Sequence, residues 1–231
     1  MGAEDQTPRS WAGETTWITS DADMAVLPRG RHSLSPEDVA DSQRGRMMRA
    51  VALAVAEKGY GETVVTDVIK RAHVSRKTFY EHFDDLQDCF RQAHALACDT
   101  LLAQVIDSSR AGPQEGFETI RSGVRGYFEL IAGEPEMTQA FFADAVAAGP
   151  AVALKRQETM GILAGLILAG YRIAQDGDPA LPDPPALAGT AATGAINEIC
   201  LTALADEQLD LLPGRTDEMV AIIRGILTSG P

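Results

Sequence analysis

The sequence predicts an all-α protein of about nine helices, and three observations point there. Apolar residues recur at three- and four-residue spacing along most of the 231-residue chain. Breakers rich in Gly and Pro separate those stretches (AGEPE, AAGP, QDGDPALPDPP, LLPGR), and Ala-rich segments favour helix. No segment sustains the alternation of a strand, and no internal repeat is found. A chain of this length holds one large domain or two small ones.

Residues 1–34 mix Gly, Pro, Ser, Thr and acids without periodicity and read as a mobile tail, with a locally basic LPRGRH stretch inside it. Ser35 followed by Pro36 and Asp38 forms a short cap. The first long helix is expected from about Ser42 to Lys58, with Met47, Val51, Ala54 and Val55 inward and Gly59 as its stop. Thr66 occupies an N-cap position for a short helix through Ala72, with Asp67 in its first turn and Val68, Ile69 and Ala72 inward. His73–Val74 is a turn, and Ser75 caps the next helix. Asp85, with Asp88 three positions on, caps a longer one to about Ser108. Beyond it, helices are expected over roughly 115–131, 134–147, 150–175, 185–206 and 216–228.

Composition excludes several classes. The longest apolar run lies within MGILAGLILAGY, Met160 to Tyr171, too short for the roughly 20 residues of a membrane span. The first residues lack the apolar stretch of a secretion signal. Cys89, Cys98 and Cys200 have neither metal-like nor disulfide-framework spacing, and read as small buried residues of a reducing, cytoplasmic compartment. The histidines (His32, His73, His82, His94) form no paired metal spacing, and neither a phosphate loop nor a nucleophile signature occurs. Glu134 and Glu136 around Pro135 mark a helix start. No enzyme, cofactor or metal centre is expected.

Charge is unevenly spread. The net charge is −13, yet Ser42 to Phe83 holds eight Lys/Arg against four acids, so this window carries +4 and the remainder −17. A basic island on an acidic body fits one surface that faces a polyanion.

The island contains TVVTDVIKRAHVSRKTFYEHF, residues 63–83, which reads as two short helices joined by a tight turn: a helix-turn-helix. With Phe79 inward, Phe83 shares its buried face four residues on. Lys77 and Glu81 then point away, Arg76 and Tyr80 flank one side, and Thr78 and His82 flank the other. Arg, Lys, Thr, Tyr and His can all donate hydrogen bonds to phosphates or base edges. An ordinary helical hairpin with solvated cations fits the same pattern.

The longer stretch AVAEKGYGETVVTDVIKRAHVSRKTFYEHFDDLQDCF closely resembles the DNA-binding domain of TetR-family transcriptional regulators. The matching elements are Gly59–Tyr60, Thr63, Asp67–Val68, Ala72, Val74–Ser75, Thr78–Phe79–Tyr80 and His82–Phe83, within about residues 42–95. The resemblance implies a three-helix DNA-binding domain over 35–84, followed by a helical ligand-binding and dimerisation domain over 85–231. It implies phosphate contacts from Thr66 and Ser75, base-edge contacts from Arg76, Lys77 and Thr78, and a backbone grip from Tyr80 and His82. Arg29 and Arg31 resemble a basic arm that reaches the minor groove or flanking phosphates, an unengaged tail being the alternative. Two positions depart from the family pattern. His73 stands where a glycine usually provides positive φ, at a cost of roughly 1 kcal/mol. Leu86 stands where a phosphate-binding lysine is usual.

The remaining helices carry small residues: Gly161, Gly165 and Gly170 in one, and Gly189, Ala191, Ala192, Gly194 and Ala195 in the next. Such residues let helices cross closely, either between two copies of the chain or within one. The resemblance points to a homodimer on a palindromic double-stranded operator, most simply a repressor, released by a small-molecule effector. Phe128, Met137, Phe141, Phe142 and Tyr171 are candidates to line the effector cavity, with Asn197 as a polar contact; plain core is the other reading of each. The competing function is a helical ligand-binding or protein-interaction module with weak or lost DNA affinity.

Overall fold

The computed structural model describes residues 36–143 and 145–230, and among them every regular element is helical. The expected basic arm, Arg29 and Arg31 lie outside the described residues.

The first helix, α1 (Pro36–Lys58), begins six residues before the expected start. No breaker separates Pro36 from Ser42, and Pro36 and Asp38 of the expected cap fall in its first turn. Met47, Val51, Ala54 and Val55 are buried as the periodicity requires. Gly59 ends the helix at φ 81°, a left-handed backbone value that favours glycine.

The next helix, α2 (Val65–Ala72), is capped two residues earlier than expected. Val64, not Thr66, is the N-cap residue. Valine offers no side-chain acceptor, so the cap comes from Asp67, whose Oδ2 accepts the Val64 N–H at 2.9 Å. Lys58 Nζ donates to the same carboxylate oxygen at 2.5 Å and fastens α1 to α2. These hydrogen bonds, the one from Lys58 foremost, hold the Asp67 carboxyl below its ordinary pKa.

At the end of α2, His73 sits in the left-handed region (φ 53°, ψ 44°), as the glycine-deficient turn required. The Val74 N–H then reaches back to Ile69 O at 3.1 Å and the helix closes in a Schellman-type turn. Out of this turn comes α3 (Arg76–His82), followed by α4 (Leu86–Ala111), in which Asp85 accepts the Asp88 N–H at 2.7 Å. Leu86 is half-buried against the core rather than directed to solvent.

Beyond α4 come α5 (Glu118–Gly133), α6 (Pro135–Thr138), α7 (Pro150–Gly177), α8 (Ala188–Ala205) and α9 (Thr216–Leu227). The single helix expected over 134–147 is instead three pieces: α6, a π-helical turn at Gln139–Ala143 and a 3₁₀ turn at Ala145–Ala148. Phe141 and Phe142, both within the π-helical turn, are buried.

α4 lies between the two parts of the molecule, packed on α1 at one end and on α5 and α7 along its length. α8 and α9 complete the body, and one continuous apolar cluster joins both parts. Arg49 of α1 donates to Glu134, at the joint of α5 and α6, at 2.5 Å with both side chains largely buried. Cys89, Cys98 and Cys200 are buried and unbonded to one another, as expected.

Candidate nucleic-acid interface and adjoining cavities

The outward face of α3 follows from what its inward face buries. Phe79 and Phe83 are both buried, with ring centroids 5.6 Å apart. Truncating either to alanine costs about 3–5 kcal/mol, so the rotation of α3 about its axis is held. Ser75 caps the helix: its Oγ accepts the Thr78 N–H at 3.0 Å and lies 2.9 Å from Thr78 Oγ1.

That rotation leaves the polar residues outside. The Lys77 side chain is 88% exposed, and its Nζ lies 3.5 Å from Glu81 Oε1. Arg76 lies over the ring of Tyr80, 5.6 Å from its centroid, and its Nη2 donates to the Tyr80 hydroxyl at 3.4 Å. Tyr80 is exposed while edge-on to Phe79, so one ring serves both core and surface. Thr78 and His82 are half-buried on the other flank, and Thr66 is exposed in the first turn of α2. The structure therefore places Thr66, Ser75, Arg76, Lys77, Thr78, Tyr80 and His82 on α2, α3 and their caps, with two full cations outward. Such a surface can meet phosphate oxygens and base edges.

The six residues put forward for an effector cavity separate into two groups. Phe128 and Met137 are filled core. Tyr171 is too: its hydroxyl donates to Pro182 O at 2.9 Å, and its ring packs on Phe117. None of these three lines either of the two cavities among the described residues. Phe141, Phe142 and Asn197 line a small cavity of about 20 Å³ together with His94, Arg156 and Thr159. A larger cavity, about 240 Å³, lies among α4, α5, α7 and α8, bordered by Val105, Ile120, Tyr127, Leu163 and Ile196, with Arg110 where it opens. Its lining is mostly aliphatic, with Ser109, Gln114, Thr119 and Thr193 among it, and nothing in the local spacing of the apolar residues distinguishes them from core.

The small cavity holds an unusual set of polar groups. Arg156 is half-buried, and its Nη2 donates to Asn197 Oδ1 at 2.9 Å. Burial pushes the His94 imidazole down to about 4, with Arg156 and Lys155 adding to the effect, so His94 is neutral at pH 7. The Cys98 thiol lies 3.7 Å from His94 Nδ1 and is pushed up by burial.

The small-residue stripe also divides. Gly170, Gly189 and Ala192 are buried within the chain; a Cβ on Gly189 would lie 3.0 Å from Ala164 O, so this glycine lets α8 approach α7. Gly161, Gly165, Ala191 and Gly194 face outward, beside exposed Ile162 (48%) and Leu187 (75%).

Residues 50–93 match the family model for bacterial regulatory proteins of the tetR family. No curated protein sequence matches the chain. Among solved structures, the fatty acid degradation regulator FadR from Bacillus halodurans superposes with a TM-score of 0.68 at 15% identity, over 84% of this chain and 97% of that one. The transcriptional regulator FadR from Bacillus subtilis, in complex with stearoyl-CoA, gives 0.66 at 18% identity over 77% and 96%. The ketosteroid transcriptional regulator KstR2 of Mycobacterium tuberculosis gives 0.58 at 16% identity over 80% and 95%. At such identities the likeness is one of fold.

Proposed function

From a chain that belongs to the TetR family of bacterial regulatory proteins, we propose a dimeric transcriptional repressor, released from a palindromic operator by a small-molecule ligand. Residues 35–84 are its reading head, and 85–231 its ligand and dimerisation body. The observation that carries this reading is the outward face of α3, where Arg76, Lys77 and Tyr80 stay exposed while Phe79 and Phe83 hold the helix in place. In this reading Lys77, Arg76 and Thr78 meet base edges. Ser75, Thr66, Tyr80 and His82 hold the backbone. The absence of a lysine at Leu86 leaves one phosphate contact unmade.

One short helix reads too few base pairs for an address, so two copies read two half-sites. The outward small residues of α7 and α8, flanked by Ile162 and Leu187, supply the surface on which the copies meet. Ligand in the body then selects between two spacings of the heads, by binding one of them better.

Selection of bound duplexes from a random pool tests the proposal. An inverted repeat should emerge, its half-site centres about one helical turn or a small multiple apart. A pool with no enrichment would instead favour a helical ligand or protein-interaction module that has lost DNA affinity.

A further inference from the structure

The two cavities lie end to end. Along α4 the lining passes from Cys98 and Leu101 at the small cavity to Val105 at the large one. Along α7 it passes from Thr159 to Leu163. Along α8 it runs the opposite way, from Asn197 to Thr193. Steps of three or four residues are one helical turn, so on all three helices the cavities are successive levels of the same interior. Tyr127 stands at the junction: it borders the large cavity, and its ring meets Phe142 of the small one at 6.4 Å.

The levels differ in chemistry. The larger is mostly apolar, its polar lining being Ser109, Arg110, Gln114, Thr119 and Thr193, with room for roughly eight waters' worth of ligand. The smaller has the size of an end group and holds Arg156, whose one hydrogen bond is to the neutral side chain of Asn197; among the described residues no carboxylate pairs with it. A half-buried guanidinium without an anion has paid part of its desolvation without the compensating charge. The Tyr127 hydroxyl makes no hydrogen bond among the described residues, and burial keeps it protonated and therefore a donor.

We propose that the two cavities form one ligand channel whose occupant is an extended apolar carboxylic acid, its carboxylate held by Arg156 and Asn197 and its body in the larger cavity. The assignment rests on the reading of the chain as a ligand-responsive regulator. Arg110, at the open end, is a weaker anchor because it is exposed, where water and salt screen its charge. The apolar body supplies affinity by burial, and the Arg156 fork selects a carboxylate over a neutral end group.

Titration calorimetry on the full chain with decanoate, 1-decanol and acetate tests this. Decanoate should bind about tenfold or more tighter than decanol, and acetate should give no measurable heat. Arg156→Gln should bring decanoate down to the affinity of decanol and leave decanol unchanged. Asn197→Asp, which sets a carboxylate beside Arg156, should do the same, and it decides the matter should Arg156→Gln fail to fold by its melting curve. Arg110→Gln should keep the preference. Equal binding of decanoate and decanol, binding of neither, a preference that survives both substitutions, or its loss in Arg110→Gln would each overturn the assignment. DNA affinity measured with and without decanoate separates the two levels of inference. A carboxylate preference without any effect on DNA sinks the ligand-responsive reading and leaves the channel. DNA release by another compound, in a protein that ignores decanoate, does the reverse.

Discussion

His94 shows how one side chain links the body's interior to solution conditions. Its folded pKa, about 4, lies below the usual 6.5 because burial disfavours the imidazolium. Between these values the unfolded chain binds a proton that the folded chain does not. The stability it contributes is therefore present above about pH 6.5 and lost as pH falls toward 4, by about 3 kcal/mol in all. Asp67 and Asp88 act lower. Burial pulls Asp88 up, but hydrogen bonds from Gln92, Arg91 and the Asp84 N–H outweigh it, so both carboxyls are depressed and lose their contribution only as pH falls below about 4. Melting temperature should fall steadily from pH 7 to 4.5, and His94→Gln should flatten that slope; an unchanged slope in the variant would assign the effect elsewhere. The legibility of single residues was uneven, for a physical reason. Ser75 was readable because an N-cap is a local interaction three residues long. Thr66 looked equally good as a cap, yet Asp67 caps Val64 from inside the helix and moves the start back. Arg156 sits in LKRQE, which reads as a solvated turn of helix, and only the approach of α8 makes it an interior cation.

At the scale of elements, the joint between head and body is the place to look for coupling. α1 packs on α6 and on the π-helical turn, and Phe141 and Phe142 of that turn also line the small cavity. A ligand beneath those rings would touch the same turn that α1 rests on. Arg49 and Glu134 pin the joint. Glu134→Gln keeps the shape and removes the charge, and should lower stability by about 1–3 kcal/mol in urea unfolding. It should also weaken the effect of ligand on DNA affinity more than it weakens DNA affinity itself. A loss confined to stability would make the ion pair a structural pin and nothing more. The division of residues 134–147 was invisible in the sequence because its helical periodicity is sound, and nothing in the local spacing marks where the turn widens. The longer helices were legible because a 3.6-residue pattern and its Gly or Pro stops are properties of the local chain.

For the whole molecule, the proposed function depends on symmetry. The outward glycines of α7 and α8 have room at the single-chain level: a Cβ on Gly161, Gly165 or Gly194 meets nothing within 4 Å. Gly165→Glu should therefore fold normally but elute as a monomer in size-exclusion chromatography, with much weaker operator binding. A variant that remains dimeric would move the interface off this face. The cavities belong to this scale as well, since a void is set by how four helices fail to fill the space between them, and no one segment encodes it.

The proposed function stands or falls on the cationic face of α3, and the salt dependence of duplex binding tests it most directly. The wild-type chain should lose affinity steeply as salt rises, with log K falling linearly in log salt. Lys77→Ala should either reduce that slope by about one unit, the signature of a phosphate contact, or relax specificity at one base position while the slope stays the same. Affinity and slope both indifferent to Lys77→Ala, or a wild-type chain that binds no duplex at low salt, would contradict it.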